Sequence, residues 1–161
     1  MPSPIHTRIT LMKSIAEKLG LPPIQTLAKQ PGTQSVHRIT FHYFDARLPE
    51  RVATLSKTIT TGIRIEAKPS QNPNEKMDIF PITPFRFEQL TKSLQSIHFD
   101  TLPDQEELPY YDSVDLWMVE RAAGTFHHNV IVAPALALDA SVSMHARLVN
   151  LIRNVLPEAV R

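Results

Sequence analysis

The feature that most constrains the fold is a pair of β-rich runs within residues 114–134, separated by the short segment Ala-Ala-Gly-Thr. In both runs the side chains alternate as on a strand whose two faces differ. The alternating positions are Val114, Leu116 and Met118 in the first run and Phe126, His128, Val130 and Val132 in the second. Gly124 can adopt the positive φ that a short connection needs. We therefore predict a β-hairpin.

The same patterns predict three helices and three further strands. The predicted helices carry apolar residues at intervals of three and four, and they begin at Thr7 or Thr10, at Pro84 with Thr83 as the N-cap, and at Asp139 or Ser141. They end at Leu19, near Ile97 and at Leu156. The predicted strands cover residues 36–44, 51–60 and 63–68. Residues 69–81 are polar and interrupted by proline, which predicts the longest loop.

The predicted order is helix, three strands, helix, two strands and helix. Short turns between strands favour an antiparallel sheet, so we predict an α+β domain spanning residues 1–161 with about five strands and helices packed on one face. The second helix can also act as a crossover in a mixed sheet. Residues 1–32 either form a helical appendage docked on this body or cover part of its core.

Composition limits the classes of function. With 17 basic and 16 acidic residues the net charge is only +1, so no strong field attracts nucleic acid. The chain contains no cysteine, and its four glycines are too far apart for a phosphate-binding loop. There is neither a secretory signal pattern nor a run of about 18 apolar residues. We therefore predict a cytoplasmic protein with no membrane segment and no cofactor.

Polar residues of the hairpin suggest a possible reaction centre. His127 and His128 are adjacent, so on a regular strand they point to opposite faces and cannot bind one metal ion together. A site assembled across strands from Glu120, His42 and these histidines would serve a metal-dependent or acid/base hydrolase. The alternative is a structural role: Glu120 pairs with Arg121, Arg64 or Arg38 on the solvated side of the sheet, and His128 is hydrogen-bonded at the edge of the core.

Aromatic residues near the hairpin suggest a surface for a partner. Trp117 is the only tryptophan, and Tyr110 and Tyr111 precede it in the chain. A single tryptophan is usually a core anchor, but if it is exposed beside these tyrosines it forms a typical protein-contact patch. The sequence therefore favours a non-catalytic domain that binds another protein, of an accessory, inhibitor or immunity type. The hydrolase is the alternative, and a homo-oligomer is a third hypothesis.

The carboxyl-terminal part, about 50 residues, resembles a group of small bacterial domains of unknown function. The shared pattern is a tryptophan, two residues, a glutamate, a turn, an aromatic-His pair and a proline seven positions after that His. Here these positions are Trp117, Glu120, Phe126, His127 and Pro134, and a closing helix follows. This chain has Ile-Val-Ala before the proline where those domains often have Arg-Trp-Ser. The resemblance implies the hairpin-and-helix fold and no particular activity.

Overall fold

Six α-helices and six β-strands form within the residues that the computed structural model describes, which are 4–69, 76–110, 113–139 and 143–160. The helices are α1 (Pro4–Lys18), α2 (Ile24–Ala28), α3 (Pro84–Ser96), α4 (Pro134–Asp139), α5 (Met144–Val155) and α6 (Pro157–Val160). A 3-10 turn covers Phe99–Thr101. The strands are β1 (Thr33–His42), β2 (Arg51–Thr58), β3 (Gly62–Pro69), β4 (Asp78–Pro81), β5 (Leu116–Ala123) and β6 (Phe126–Val132).

The six strands form one sheet in the order β4-β3-β2-β1-β5-β6, and every neighbouring pair is antiparallel. The predicted α+β fold with an antiparallel sheet is therefore confirmed. The predicted hairpin is β5 and β6, joined at Gly124, whose φ is 58°. Strand β1 lies between β2 and β5, so the crossover from β4 to β5 brings the two strand groups side by side.

The sixth strand, β4, lies in the segment that the sequence predicted to be a loop. It has only four residues, Asp78 to Pro81, and prolines interrupt the segment, so no alternating pattern develops there. Its strand structure comes from tertiary pairing, in which Phe80 lies opposite Ile65 of β3 and packs on the core. Its edge position tolerates Pro81, which cannot donate to a further strand.

Helices cover both faces of the sheet, which corrects the prediction of helices on one face. Helices α1 and α2 lie on one side, here called the amino-terminal face, where Met12 and Ile15 pack with Leu116 and Met118. Helices α3 to α6 supply the other side, the carboxyl-terminal face, where the core includes Trp117. Water is excluded from both faces, because consecutive residues of β1 and β5, whose side chains point to opposite faces, are buried.

The amino-terminal segment is held to the sheet by polar contacts as well as apolar ones. Arg8 donates to the carbonyl oxygen of Leu108, and Lys68 Nζ donates to the carbonyl oxygen of Leu19 over 3.1 Å. Met12 and Ile15 are fully buried. Residues 4–28 thus cover the amino-terminal face of the sheet. None of the helices in the described part of the chain has the length and apolar character needed to cross a bilayer.

Helix caps follow the sequence closely in one case and less closely in another. Thr83 caps α3 by accepting a hydrogen bond from Arg86 N over 3.2 Å, as predicted. The last helix was predicted from Asp139 or Ser141 to Leu156, but α5 begins after Ser143, whose side chain accepts from Ala146 N over 3.0 Å. The preceding Pro-Ala-Leu-Ala-Leu-Asp segment forms the separate helix α4.

Candidate functional site

Trp117 is a core residue and not part of an exposed patch. Its side chain lies on the carboxyl-terminal face and is only 4% exposed. Its ring meets Phe41 of β1 edge-on, with the ring centroids 5.2 Å apart, and the Arg153 guanidinium lies 5.6 Å from the indole. A partner therefore cannot contact the indole without unfolding this part of the core.

Tyr110, by contrast, is 71% exposed, whereas Tyr111 lies outside the described residues. The Tyr110 carbonyl oxygen accepts hydrogen bonds from the backbone and side chain of Ser113, over 3.0 and 2.8 Å. This turn places Tyr110 next to the entrance of β5, at the same end of the sheet as the loop between β1 and β2.

The loop between β1 and β2 adds two apolar side chains that the sequence analysis missed. Phe44 and Leu48 are both about half exposed. Phe44 N donates to Asp115 Oδ1 over 3.2 Å, and Arg47 forms an ion pair with the same carboxylate. We call Phe44, Leu48 and Tyr110 the loop-end surface. Phe44 was placed at the end of the predicted strand 36–44, whereas β1 ends at His42. For Leu48 the available signal was a leucine in a loop, with no strand or helix to bury it.

The polar site predicted on the hairpin is half assembled. Glu120 and His127 project from β5 and β6 toward the amino-terminal face, and His127 Nε2 lies 3.3 Å from Glu120 Oε1. Gln25 of α2, which the sequence analysis did not identify, places its amide nitrogen 3.2 Å from His127 Nδ1. The amide donates to Nδ1, so the imidazole proton is on Nε2 and is donated to Glu120. Both ring nitrogens are therefore engaged.

We predicted Glu120 on the solvated side of the sheet. It is instead only 5% exposed and lies beneath α1 and α2. Of the three arginines considered as its partners, Arg38 lies directly opposite it across β1 and β5. Arg38 donates from Nε to Thr54 Oγ1 over 3.0 Å and from Nη1 to the Pro22 carbonyl oxygen over 2.8 Å. Burial lowers the pKa of Arg38, and the Glu120 charge opposes that change. We call Arg38, Glu120 and His127, which all lie on the amino-terminal face, the charged row.

A cavity of about 200 Å³ adjoins this row on the amino-terminal face. Its lining includes Glu120, Gln25, Lys13 and Glu17, together with apolar residues of the α1–α2 region. Gln25 and Glu120 together hold the His127 imidazole with its Nε2–H directed at the carboxylate. For His127 to act on another molecule, however, the hydrogen bond from Gln25 or the one to Glu120 must first break.

The other two residues of the predicted polar site lie elsewhere. His128 projects to the carboxyl-terminal face, where its Nε2 lies 2.8 Å from the Leu102 carbonyl oxygen and its ring packs edge-on against Phe99. This confirms both the divergence of the adjacent histidines and the hydrogen-bonded position at the core. His42 forms an ion pair with Glu50 over 3.1 Å at the end of β1. The described residues include no group of three or more side chains that could hold a metal ion.

His37 is a further titratable residue that the sheet buries. It lies on the carboxyl-terminal face and is 6% exposed. Burial, with a smaller effect from the nearby Arg121 charge, lowers the pKa of His37 to about 4. The imidazole is therefore neutral at pH 7.

This burial predicts a loss of stability in mild acid. The unfolded chain binds a proton at His37 below about pH 6.5, whereas the folded chain does so only near pH 4. The contribution of His37 is thus present above pH 6.5 and is lost as the pH falls toward 4, by roughly 3 kcal/mol in the free energy of unfolding. Urea denaturation at the two pH values measures it. The His37→Gln protein is expected to lose that much less stability over the interval, and equal losses would contradict the prediction.

The positions that carry the resemblance to small bacterial domains have structural roles in this hairpin. Trp117 anchors the core, Glu120 and His127 contact each other, and Pro134 begins α4. No protein-family model matches the chain, and no curated protein matches it.

Proposed function

We propose that the protein is a non-catalytic domain that binds another protein through the loop-end surface, in an accessory role such as that of an inhibitor or immunity protein. The observation that carries this proposal is the exposure of Tyr110 at the same end of the sheet as the half-exposed Phe44 and Leu48. Aromatic side chains are enriched at protein interfaces, and a few of them usually supply most of the binding energy.

The loop-end surface is held in place before binding. Asp115 fixes the backbone of Phe44 and the guanidinium of Arg47, and Arg47 in turn lies 5.3 Å from the centre of the Tyr43 ring. A preordered surface loses less conformational entropy on association than a mobile one does.

The hydrogen bonds of Glu120, His127 and Arg38 favour a structural role for the polar residues of the hairpin. Glu120 and His127 connect β5 and β6, and His127 connects both strands to α2 through Gln25. Arg38 extends the row to Thr54 of β2 and to Pro22. The hydrogen bonds from Gln25 to His127 and from Arg38 to Pro22 fix how the amino-terminal segment lies on the sheet.

Replacing Tyr110 tests the proposal. The immobilised full chain, its Tyr110→Ala variant and its Phe85→Ala variant are each exposed to an extract of the source cells, and the recovered proteins are quantified by mass spectrometry. Phe85 is a matched control because it is 75% exposed at the start of α3, away from the loops. Loss of a central aromatic contact weakens binding about tenfold or more, so Tyr110→Ala is expected to lose a partner that Phe85→Ala retains.

Equal recovery of every protein by all three chains would contradict the proposal. Phe44→Ala serves as a second variant, since it removes a different side chain of the same surface and is expected to lose the same partner. If the partner is a second copy of this chain, the effect appears instead as a lower solution mass for Tyr110→Ala at high protein concentration.

An acid/base hydrolase is the second candidate, and the observation that favours it is the Glu120–His127 contact beside the 200 Å³ cavity. A positioned acid or base contributes about a hundredfold or more to a reaction rate. Hydrolysis of a panel of chromogenic esters and phosphoesters that falls by this factor in Glu120→Gln would support the hydrolase over the binding domain. Activity that Glu120→Gln leaves unchanged would exclude this carboxylate as the acid or base.

A further inference from the structure

A second cavity, of about 340 Å³, lies on the carboxyl-terminal face between the sheet, α3 and the 3-10 turn. It is at the lower end of the range of about 300–1,000 Å³ in which small-molecule sites fall. Polar residues line it from strands β1 and β5, from the 3-10 turn and from α3, which contributes Thr91 and Gln95 as well as the apolar Phe87 and Leu94. It is separate from the loop-end surface and from the charged row.

His37 gives this cavity an unpartnered polar group. The ring lines the cavity, and its Nδ1 is enclosed without a hydrogen-bond partner. Buried N–H groups without an acceptor are rare in proteins, so the single proton of the neutral imidazole belongs on Nε2. With this tautomer the Nε2–H is the group of His37 that can donate a hydrogen bond to a molecule in the cavity.

Arg121 adds a positive charge at the same wall. It lies directly opposite His37 in the pairing of β1 with β5. Its Nη1 lies 3.3 Å from both carboxylate oxygens of Asp100, which is a long contact. The guanidinium carbon lies 5.0 Å from the centre of the Phe126 ring. Asp100 is largely exposed, so solvent weakens this pairing. The remaining donors of the guanidinium fork can bind a second carboxylate.

The apolar wall determines the rest of the ligand. The ring of Phe87 meets the His37 ring edge-on, with the centroids 6.0 Å apart. The side chain of Phe99, the first residue of the 3-10 turn, is buried. A flat apolar group can pack between these rings and Leu94, whereas an ion such as phosphate leaves that surface uncovered.

We propose that this cavity binds a small aromatic carboxylate, whose carboxylate accepts hydrogen bonds from Arg121 and from His37 and whose ring packs against Phe87, Phe99 and Leu94. The carboxylate takes the place of Asp100 as the main partner of Arg121. This site is independent of the loop-end surface, so either proposal can fail without the other.

Titration with benzoate, followed by amide chemical shifts of the isotopically labelled full chain, tests the proposal. Benzoate is expected to shift the resonances of His37, Arg121 and Phe99 in a saturable way. Benzamide has the same shape without the charge and acetate has the charge without the ring, so each is expected to bind at least about tenfold more weakly, a difference of about 1.4 kcal/mol.

Two arginine variants provide the matched comparison. Arg121→Gln is expected to weaken benzoate binding at least about tenfold. Arg64→Gln is the control, because Arg64 is also a half-buried sheet arginine paired with one carboxylate, Glu66, but lines no part of this cavity. His37→Gln is a further variant, which keeps a donor and is expected to weaken binding less than Arg121→Gln does.

Three results would overturn the proposal. The first is the absence of saturable shifts at these residues, and the second is equal affinity for benzoate and benzamide or for benzoate and acetate. The third is an equal loss of affinity in Arg121→Gln and Arg64→Gln. Because both substitutions alter polar surface residues, the spectra of the unliganded variants show directly whether each one is folded.

Discussion

Trp117→Ala is expected to destabilise the protein by about 3–5 kcal/mol, the usual range when a large buried aromatic side chain is truncated to alanine. The substitution removes the edge-on contact with Phe41 and leaves a cavity in the core that α3 and α5 cover. Small domains have a free energy of unfolding of only about 5–15 kcal/mol. The variant is therefore expected to unfold at a much lower urea concentration than the wild type. Urea denaturation followed by circular dichroism measures the change.

The fluorescence of Trp117 provides an independent measurement of its burial, because it is the only tryptophan in the chain. At 4% exposure, the indole is expected to emit at short wavelength and to resist quenching by acrylamide until the protein unfolds. Phe85→Ala serves as the control, since an exposed side chain at the surface changes stability by about 0.5 kcal/mol or less. A stable Trp117→Ala protein together with strong quenching in the native wild type would place the indole at the surface.

This expectation differs from the first hypothesis about Trp117, and the difference shows what the sequence contains. In β5 the residues Leu116 to Val119 are all apolar, and such a continuous run is typical of a strand that is buried on both faces. The alternating pattern assigned Leu116 and Met118 to the core face, and it therefore placed Trp117 on the opposite, solvent-facing side of the strand. The apolar run itself was the signal that helices cover both faces.

Local features were predicted more accurately than those that depend on distant pairing. Gly124 has the positive φ required by the hairpin turn, and Thr83 caps α3, because turns and caps are determined by a few neighbouring residues. Strand β4 and the crossover that places β1 beside β5 arise from contacts between distant segments. The sequence offered Arg38, Arg64 and Arg121 as partners of Glu120, and only the β1–β5 register selects Arg38.

The candidate site follows the same division. Opposite faces for His127 and His128 follow from the period of a strand, and the structure confirms them. The contact of His127 with Gln25 depends on where α2 rests on the sheet, which no local pattern specifies. Burial of Glu120 likewise depends on the amino-terminal segment, since the face that appeared solvated is covered by α1 and α2.

Replacing Glu120 is expected to destabilise the protein more than replacing Arg38, although the two lie opposite each other. Glu120→Met leaves the Arg38 charge buried without the opposite charge on β5 and removes the acceptor of His127 Nε2, and a guanidinium cannot lose its proton in a protein, so a cost of about 1–3 kcal/mol is expected. Arg38→Met leaves Glu120 buried, but that carboxylate still has His127 as a hydrogen-bond partner. The cost of Arg38→Met is therefore smaller.

The double variant distinguishes a charged pair from two independent polar residues. If Arg38 and Glu120 stabilise each other, the Arg38→Met, Glu120→Met protein loses less stability than the sum of the single variants, by about 0.5–3 kcal/mol. The same cycle on Arg64 and Glu66, a half-exposed pair on β3, is the control and is expected to give about 0.2–1 kcal/mol. Urea denaturation of the seven proteins, which are the wild type and three variants for each pair, provides both cycles. Additive losses at Arg38 and Glu120 would mean that each is held by its other partners, Thr54 and His127, and that the charged row does not act as a unit.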